Sequence, residues 1–235
     1  MSTEPIRRFY ASATAAEEGE AYIVRLDQRT LKTPAGKPLR LPTRALAGAI
    51  AAEWDAQGEH IVPASMPVTQ LAFAAIDWTP QSRAQLVEYV AKYGETDLLC
   101  HRAEAPAPLI ARQAETWDVL LQWARETRAL KLPVVVGVIA APRDEASLAR
   151  IRDFADALDD FRLTALAQAA GLAGSAVVAL ALLAGRLDAE AAFQAAALDN
   201  LWSLENWGED AEARARLDRQ RAEFAALERF VAALG

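Results

Sequence analysis

The spacing of apolar residues changes at Thr43, and this change constrains the fold more than any other feature. Before it, residues 22–26 alternate in polarity with a period near two, as in a β-strand. After it, Leu46, Ile50 and Trp54 recur every four residues, as in an amphipathic helix. Helical patterns dominate from there to the end of the chain. The sequence therefore predicts an α+β protein that is mainly α, with its β-structure near the N-terminus.

The first quarter of the chain carries a predicted β-hairpin. Residues 22–27 form its first strand, PAGKP (34–38) its turn and residues 39–41 its return strand. Gly36 supplies the positive φ that such a turn requires. Residues 9–13 are a further short extended candidate. We expect an N-terminal α+β domain over residues 1–66 and a C-terminal helical domain over residues 67–235.

The expected helices follow one another closely. They begin at or near Thr43, Val68, Thr79, Ala105, Asp144, Asp160, Ser175, Asp188 and Asp210. In the helix from Ala105, we expect Ile110, Trp117, Leu121 and Ala124 to form one buried stripe, with Leu120 and Trp123 on an adjacent face. LPVVVGVIAAP (132–142) is rich in β-branched residues and predicts a buried strand or an extended link.

The balance of charge argues against a general nucleic-acid-binding protein. The chain has 25 Lys and Arg against 32 Asp and Glu, for a net charge of −7, whereas such binding needs a dominant basic field. Five basic residues nevertheless crowd the hairpin: Arg25, Arg29, Lys32, Lys37 and Arg40. No helix N-terminus is expected there to hold an anion. Nucleic-acid binding by this hairpin stays a minor alternative, which would show steeply salt-dependent affinity.

Signals of catalysis are weak. Cys100 is the only cysteine, so no internal disulfide can form, and we expect it to be structural. His101 is its neighbour, but adjacent side chains point in different directions and cannot act as a nucleophile–base pair. GLAGS (171–175) lacks the lysine of a phosphate-binding loop and favours close helix packing instead. No zinc-ligand spacing is present, and no metal or cofactor is expected.

Neither a membrane span nor a cleavable signal is expected. The longest apolar run, residues 176–184, is far shorter than the roughly 20 residues that a bilayer requires. The N-terminal MSTEPIRRFYAS has no apolar region typical of a signal peptide.

ENWGED (205–210) stands out among the acidic clusters, because it combines carboxylates with Trp207 at the joint before the last helix. An exposed acidic helix end and a partner-binding patch both remain open interpretations. Of the six tryptophans, most are expected in the core, and partial exposure is expected for Trp78, Trp202 and Trp207, which lie near helix ends.

The motifs along the chain resemble those of the assembly chaperones that handle the alpha subunit of the F-type ATP synthase. They run over nearly the whole chain: RRFY (7–10), LDQRTLKTP (26–34), LPTRALAGAIAAEWDAQGEHI (41–61), MPVTQL (66–71), TDLLCHR (96–102), Pro108-Leu109, the Gln113–Trp123 run, Leu198-Asp199 and Trp207-Gly208. The resemblance implies a small α+β unit followed by a bundle of roughly orthogonal helices.

The resemblance also implies a function without catalysis. Such a chaperone binds the unassembled alpha subunit over its beta-facing surface and prevents aggregation without nucleotide or other cofactor. The expected setting is the bacterial cytoplasm, or the mitochondrial matrix for eukaryotic relatives, and the free protein is expected to be a monomer. A small-molecule enzyme, with a polar pocket at Cys100 or His101 between the β unit and the helices, is the alternative.

The resemblance further implies an important acidic position in the segment 198–212. Here an acidic pair expected after Leu198 is Asp199 followed by Asn200, so the position is not fixed by the sequence. The candidate partner-binding residues are Asp199, Glu205, Trp207, Asp210 and Glu212. Trp54, in the EWD motif, and Trp117 are expected to be structural.

Overall fold

The N-terminal part of the chain forms a three-stranded antiparallel sheet. The computed structural model describes residues 6–137, 141–208 and 210–235. The strands β1 (Ala13–Glu18), β2 (Ala21–Leu26) and β3 (Arg29–Thr30) lie in the order β1-β2-β3. Ala13 pairs with Leu26 at one end of the main hairpin, and Glu18 pairs with Ala21 beside its turn. The sheet therefore begins earlier in the chain than the predicted hairpin.

The predicted return strand over residues 39–41 is wrong as a full strand. Its turn forms, since the Gly36 amide donates to the Thr33 carbonyl at 2.8 Å. Beyond it, pairing is limited to the single bridges Lys32–Pro38 and Tyr22–Leu41. The long partner of β2 is instead β1, whose sequence ATAAEE escaped prediction because alanine and glutamate have low strand propensity.

The helices begin close to their expected positions. Their bounds are α1 (Arg44–Asp55), α2 (Pro67–Asp77), α3 (Thr79–Glu95), α4 (Ala107–Gln113), α5 (Val119–Arg128), α6 (Glu145–Asp156), α7 (Asp160–Ala173), α8 (Ala176–Leu183), α9 (Ala189–Trp207) and α10 (Ala211–Leu234). The Thr43 side chain caps α1 by accepting from the Leu46 amide at 3.1 Å, as expected. Asp144, Ser175, Asp188 and Asp210 likewise cap the helices that follow them.

The helix α4 runs into α5 through a π-helical segment, Ala114–Asp118. Such a segment inserts an extra residue into the helical turn and shifts the faces that follow it. Trp117 and Ala124 of the predicted stripe are buried, but Ile110, before the π segment, is 37% exposed. Gln113 is buried instead, with 1% exposure. The single stripe was therefore wrong at its N-terminal end.

In its described residues, 132–137 and 141–142, the β-branched run forms only one short strand, and the expected buried strand is wrong. Its strand β5 (Val135–Val136) pairs in parallel with β4 (His101–Arg102), which follows a short 3₁₀ turn at Leu98–Cys100. Val134 and Val136 are both about half exposed. Residues 138–140 of this run lie outside the described part of the chain.

One cluster of buried side chains joins the sheet to the helices. It includes Val24 and Leu39 from the N-terminal part and Leu166, Phe193 and Phe230 from the helices. The helix α7 packs against α2, α3, α8 and α10, and α10 also packs against α1. The helix-rich α+β fold class is thereby confirmed, whereas the domain boundary expected at residue 66 stays a prediction.

Candidate partner-binding surface

The end of α9 and the start of α10 form an exposed acidic corner with an aromatic side chain at its tip. Trp207 closes α9 with 79% of its surface exposed. Gly208 adopts φ 97° and allows the chain to leave the helix. Asp210 caps α10, because its carboxylate accepts from the Glu212 amide at 3.0 Å. Glu209, the remaining acid of ENWGED, lies outside the described residues.

Glu205 is held by a bidentate ion pair between α9 and α4. Its carboxylate oxygens lie 2.5 and 3.1 Å from the two terminal guanidinium nitrogens of Arg112. Hydrogen bonding to Arg112 holds the pKa of Glu205 below its usual value. The side chain is still about half exposed. Glu205 therefore presents negative charge at the corner in a fixed orientation.

Asp199 lies apart from the corner, two helical turns earlier on α9. At 1.5 Å per residue it is about 12 Å from Trp207 along the helix axis. Its carboxylate accepts a hydrogen bond of 2.8 Å from the amide of Gln113. Gln113 in turn accepts from the Ala103 backbone at 2.9 Å. The structure thus gathers Glu205, Trp207, Asp210 and Glu212 at one corner and ties Asp199 to α4.

Gln113 is the residue of this region that sequence reasoning missed. Its side-chain amide accepts from the Ala103 backbone amide and donates to the Asp199 carboxylate. Its burial follows from the π segment beside it. One indication in the sequence shows that Gln113 matters, because it begins the Gln113–Trp123 run that resembles a motif of the assembly chaperones.

The tryptophans divide differently from the expectation that most lie in the core. Trp54 and Trp117 are buried, Trp123 and Trp202 are partly exposed, and Trp78 is 68% exposed. Trp117 donates from its indole nitrogen to the Ala195 carbonyl at 2.9 Å and so joins the π segment to α9. Trp54 packs beside Tyr10, whose hydroxyl donates to the Trp54 carbonyl at 2.7 Å.

The two carboxylates of the EWD motif, which flank Trp54, each hold a different element of the fold in place. Glu53 accepts from the amides of Val68 and Thr69 at 2.9 and 2.8 Å, so it caps the start of α2. Asp55 accepts from the Ala13 amide at 3.2 Å and holds the start of β1. The two carboxylates point to different elements and do not converge on a shared cleft. Their roles are structural.

Asp27 of the LDQRTLKTP motif also acts within the fold. It adopts φ 52° in the tight turn between β2 and β3. Its carboxylate accepts from the amides of Ser12 and Ala11, and these bonds lower its pKa. In the same motif Thr33 donates to the buried Asp77 at 2.7 Å. The polar side chains of this motif thus stabilise the turn between β2 and β3 and the turn that follows β3.

The basic residues of the hairpin are partly used within the protein. Lys37 donates to the Ile76 carbonyl at 2.9 Å, and Arg40 lies 3.9 Å from Glu18. Arg25, Arg29 and Lys32 are exposed.

Cys100 is unsuited to nucleophilic chemistry. It is 2% exposed, and burial raises the pKa of its thiol to about 12, so almost no thiolate forms near neutral pH. Neither Cys100 nor His101 lines the cleft of about 580 Å³ between α3 and α7. Within residues 6–137, 141–208 and 210–235, no group of three or more His, Cys, Asp or Glu side chains could hold a metal ion.

The GLAGS segment joins α7 to α8. Gly174 ends α7 in the left-handed conformation, and Ser175 caps α8. The anion at the start of α8 is the protein's own Asp97, which accepts from the Val177 amide at 3.0 Å. A Cβ on Gly171 would lie 2.6 Å from the Tyr89 hydroxyl, so the glycine leaves room for that side chain, and the expected close helix packing stays a prediction.

Comparison with known proteins decides the family. The family model described as "ATP12 chaperone protein" matches residues 7–125, which is just over half of the chain. This chain belongs to the ATP12 chaperone family. The resemblance to ATP synthase assembly chaperones drawn from the motifs is thereby confirmed, and this ATP12 protein is a chaperone, not an enzyme.

Solved and curated relatives agree with that assignment. The crystal structure of Atp12 from Paracoccus denitrificans is 40% identical, with a TM-score of 0.92 over 98% of this chain and 99% of that one. The Atu1473 protein of Agrobacterium tumefaciens, titled a putative chaperone, is 37% identical, with a TM-score of 0.89 over 97% and 86%. "Protein atp12, mitochondrial" of Schizosaccharomyces pombe is 29% identical over 86% of this chain and 74% of its own length.

The acidic corner lies beyond the segment that the family model matches, which ends at residue 125. In the part of this ATP12 protein that the structure describes, no helix is both long and apolar enough to cross a membrane.

Proposed function

We propose that this ATP12 protein binds the unassembled alpha subunit of the F-type ATP synthase, covers its beta-facing surface and prevents its aggregation until the beta subunit replaces it. Membership of the ATP12 chaperone family is the observation that carries this proposal. Binding requires no nucleotide. The motifs quoted from the sequence support the choice of the alpha subunit.

The physical reason for such a chaperone is the apolar surface that a subunit exposes before assembly. Obligate interfaces are larger and more apolar than transient ones, and an exposed apolar patch drives association. A temporary partner must cover that patch and still yield to the permanent one. A surface that combines an aromatic anchor with charged groups meets both needs, because charge speeds encounter and the anchor supplies affinity.

The acidic corner is our candidate for one contact with the alpha subunit. Trp207 is exposed at the end of α9, and its neighbours in the chain Glu205, Asp210 and Glu212 add negative charge to this corner. We propose that Trp207 packs on the client while the carboxylates meet basic groups beside it. Asp199 contributes from its place between α9 and α4.

The proposed setting is the bacterial cytoplasm, with the protein monomeric when free. The relatives from Paracoccus denitrificans and Agrobacterium tumefaciens are bacterial. The Schizosaccharomyces pombe relative is named mitochondrial, which fits the same role in the matrix.

The test is suppression of aggregation in a purified system without nucleotide. Unassembled alpha subunit is diluted from denaturant with and without this protein, and light scattering is followed. We expect scattering to fall as the chaperone approaches one copy per alpha subunit, and addition of beta subunit to release it. Unchanged scattering, together with no complex on size-exclusion chromatography, would refute the proposal. Beta subunit alone serves as the control client.

A further inference from the structure

Two clefts adjoin on one face of the helical part and form a continuous groove. One has a volume of about 580 Å³ and lies between α3 and α7, and the other, of about 310 Å³, extends towards α2 and α10. They share four lining residues: Ala74, Thr164, Gln168 and Glu223. Because α7 contributes to both, we call the joined clefts the α7 groove.

The width of the α7 groove depends on small residues. Ala74, Ala167 and Gly171 line it where larger side chains would fill the space. Two aromatic side chains stand at its rim, since Trp78 is 68% and Tyr89 43% exposed. Exposed aromatic side chains are enriched at protein interfaces, where they act as anchors. Leu86, Leu71 and Leu227 extend the apolar lining along both clefts.

Some polar side chains that line the α7 groove bond within the protein, as Thr79 does to Thr164 and Tyr89 to Tyr93, and others do not. Glu223 is the one charged residue that lines either cleft, and it has no ion pair or hydrogen bond within the described ranges 6–137, 141–208 and 210–235. The side chains of Gln70, Ser82 and Gln168 likewise have no hydrogen-bond partner among those residues. An occupant that supplied a cation and backbone polar groups would therefore find complementary groups along the groove.

We propose that the α7 groove binds an amphipathic segment of the client polypeptide, with apolar side chains along the groove and one Lys or Arg opposite Glu223. This inference rests on the proposed function, which supplies the client. From Thr164 to Leu172 the groove follows α7 for about 12 Å at 1.5 Å per residue. That length accommodates about two turns of a helix, which is the scale of helix-in-groove recognition. The single carboxylate fixes where the cation of the segment lies.

The test uses two groove variants with matched controls elsewhere. Gln168→Trp fills the groove from an exposed position, and Glu223→Lys reverses its charge. Gln122→Trp on α5 and Asp218→Lys on α10 make the same chemical changes at exposed positions outside the groove. Binding to purified alpha subunit is measured by titration calorimetry, and thermal unfolding confirms that each variant is folded.

We expect both groove variants to weaken binding at least tenfold and both controls to stay within twofold of the wild type. If the wild type binds and the groove variants bind equally well, the groove inference is overturned while the proposed function stands. If the wild type itself does not bind the alpha subunit, the proposed function fails and this inference fails with it.

A cross-linking experiment identifies the occupant. A photoreactive maleimide is attached to Gln168→Cys, with Asp218→Cys as the control position, while the native Cys100 is shielded by burial. The expected product joins Gln168→Cys to an alpha-subunit peptide in which Lys or Arg is flanked by apolar residues. Cross-linking to a second copy of this chain, with a dimer that Gln168→Trp abolishes, would overturn the inference and make the groove a self-association site.

Discussion

Asp97 accepts a hydrogen bond of 2.6 Å from the hydroxyl of Ser175, and both side chains are fully buried. The same carboxylate accepts from the amides of Leu99 and Val177 at 3.1 and 3.0 Å. It therefore joins the end of α3 to the start of α8. A carboxylate in this position stabilises the helix N-terminus while losing its own hydration.

The burial of Asp97 predicts a dependence of stability on pH. Loss of hydration raises the pKa of Asp97 to about 6 from 3.8, although its hydrogen bonds act in the opposite direction. The folded protein thus retains this proton at pH values where the unfolded chain has lost it. The resulting stabilisation is fully present below about pH 4 and is lost as the pH rises through about 6.

The Asp97→Asn variant isolates this effect, because it cannot titrate there. Relative to it, the wild-type free energy of unfolding should fall by roughly 3 kcal/mol between about pH 3 and 8. Urea denaturation of both proteins at several pH values gives the difference. A difference that is independent of pH would contradict the assignment.

Glu53→Ala should destabilise the protein, because Glu53 satisfies two amides at the start of α2 and the Thr69 hydroxyl. We expect a loss of about 1–3 kcal/mol in the free energy of unfolding. Glu59→Ala is the matched control, since Glu59 is exposed and forms an ion pair with the exposed Arg7. That control should change stability by less than about 0.5 kcal/mol. Equal losses would argue against the capping role.

Trp117→Phe removes the donor to the Ala195 carbonyl and part of a buried ring system. We expect a cost of about 1–3 kcal/mol, from the lost indole hydrogen bond and a cavity beside the π segment. Trp78→Phe, at an exposed site, should cost less than about 0.5 kcal/mol. Guanidinium denaturation of the two variants makes the comparison.

Trp207→Ala should affect binding and leave folding unchanged, because this ring is almost free of contacts with the protein. We expect about tenfold weaker binding to the alpha subunit, which is typical of an aromatic anchor. Val119→Ala, at another exposed apolar position, is the control. Wild-type affinity in Trp207→Ala would remove the acidic corner from the proposed interface.

Glu212→Lys tests the charge of the same corner. Reversal should slow association with the alpha subunit and reduce the effect of salt on the association rate. Stopped-flow measurements at low and high ionic strength provide the comparison, with Asp218→Lys as the control on the same helix. An unchanged association rate would show that the carboxylates do not face the client.

The sequence predicted the fold where one local rule acts alone. Thr43, Ser175 and Asp188 cap helices as expected. Their side-chain oxygens accept hydrogen bonds from the first free amides of the helix, and this interaction does not depend on where the helix packs. Prediction from the sequence failed where contacts between residues distant in the chain determine the local structure. The strand β1 is stabilised by its pairing with β2, not by the strand propensity of its own residues. The burial of Gln113 follows from a π segment that the residue pattern did not predict.

The candidate site was predictable only in part for the same reason. ENWGED indicated an exposed acidic corner, and the high exposure of Trp207 agrees with that interpretation. The pairing of Glu205 with Arg112 spans 93 positions of the chain and leaves no local signature. The α7 groove was likewise invisible, since its lining comes from helices that meet only after folding.

The packing of α10 against α1 and α2 has a consequence for synthesis. The ribosome makes α1 and α2 well before α10, so the apolar faces that α10 covers stay exposed until α10 has been synthesised. Contacts between such distant segments are also slow to form. The nascent chaperone thus exposes apolar surface before it is complete, as its proposed client does before assembly. The α7 groove forms only when α10 docks, because Glu223 of α10 lines both clefts.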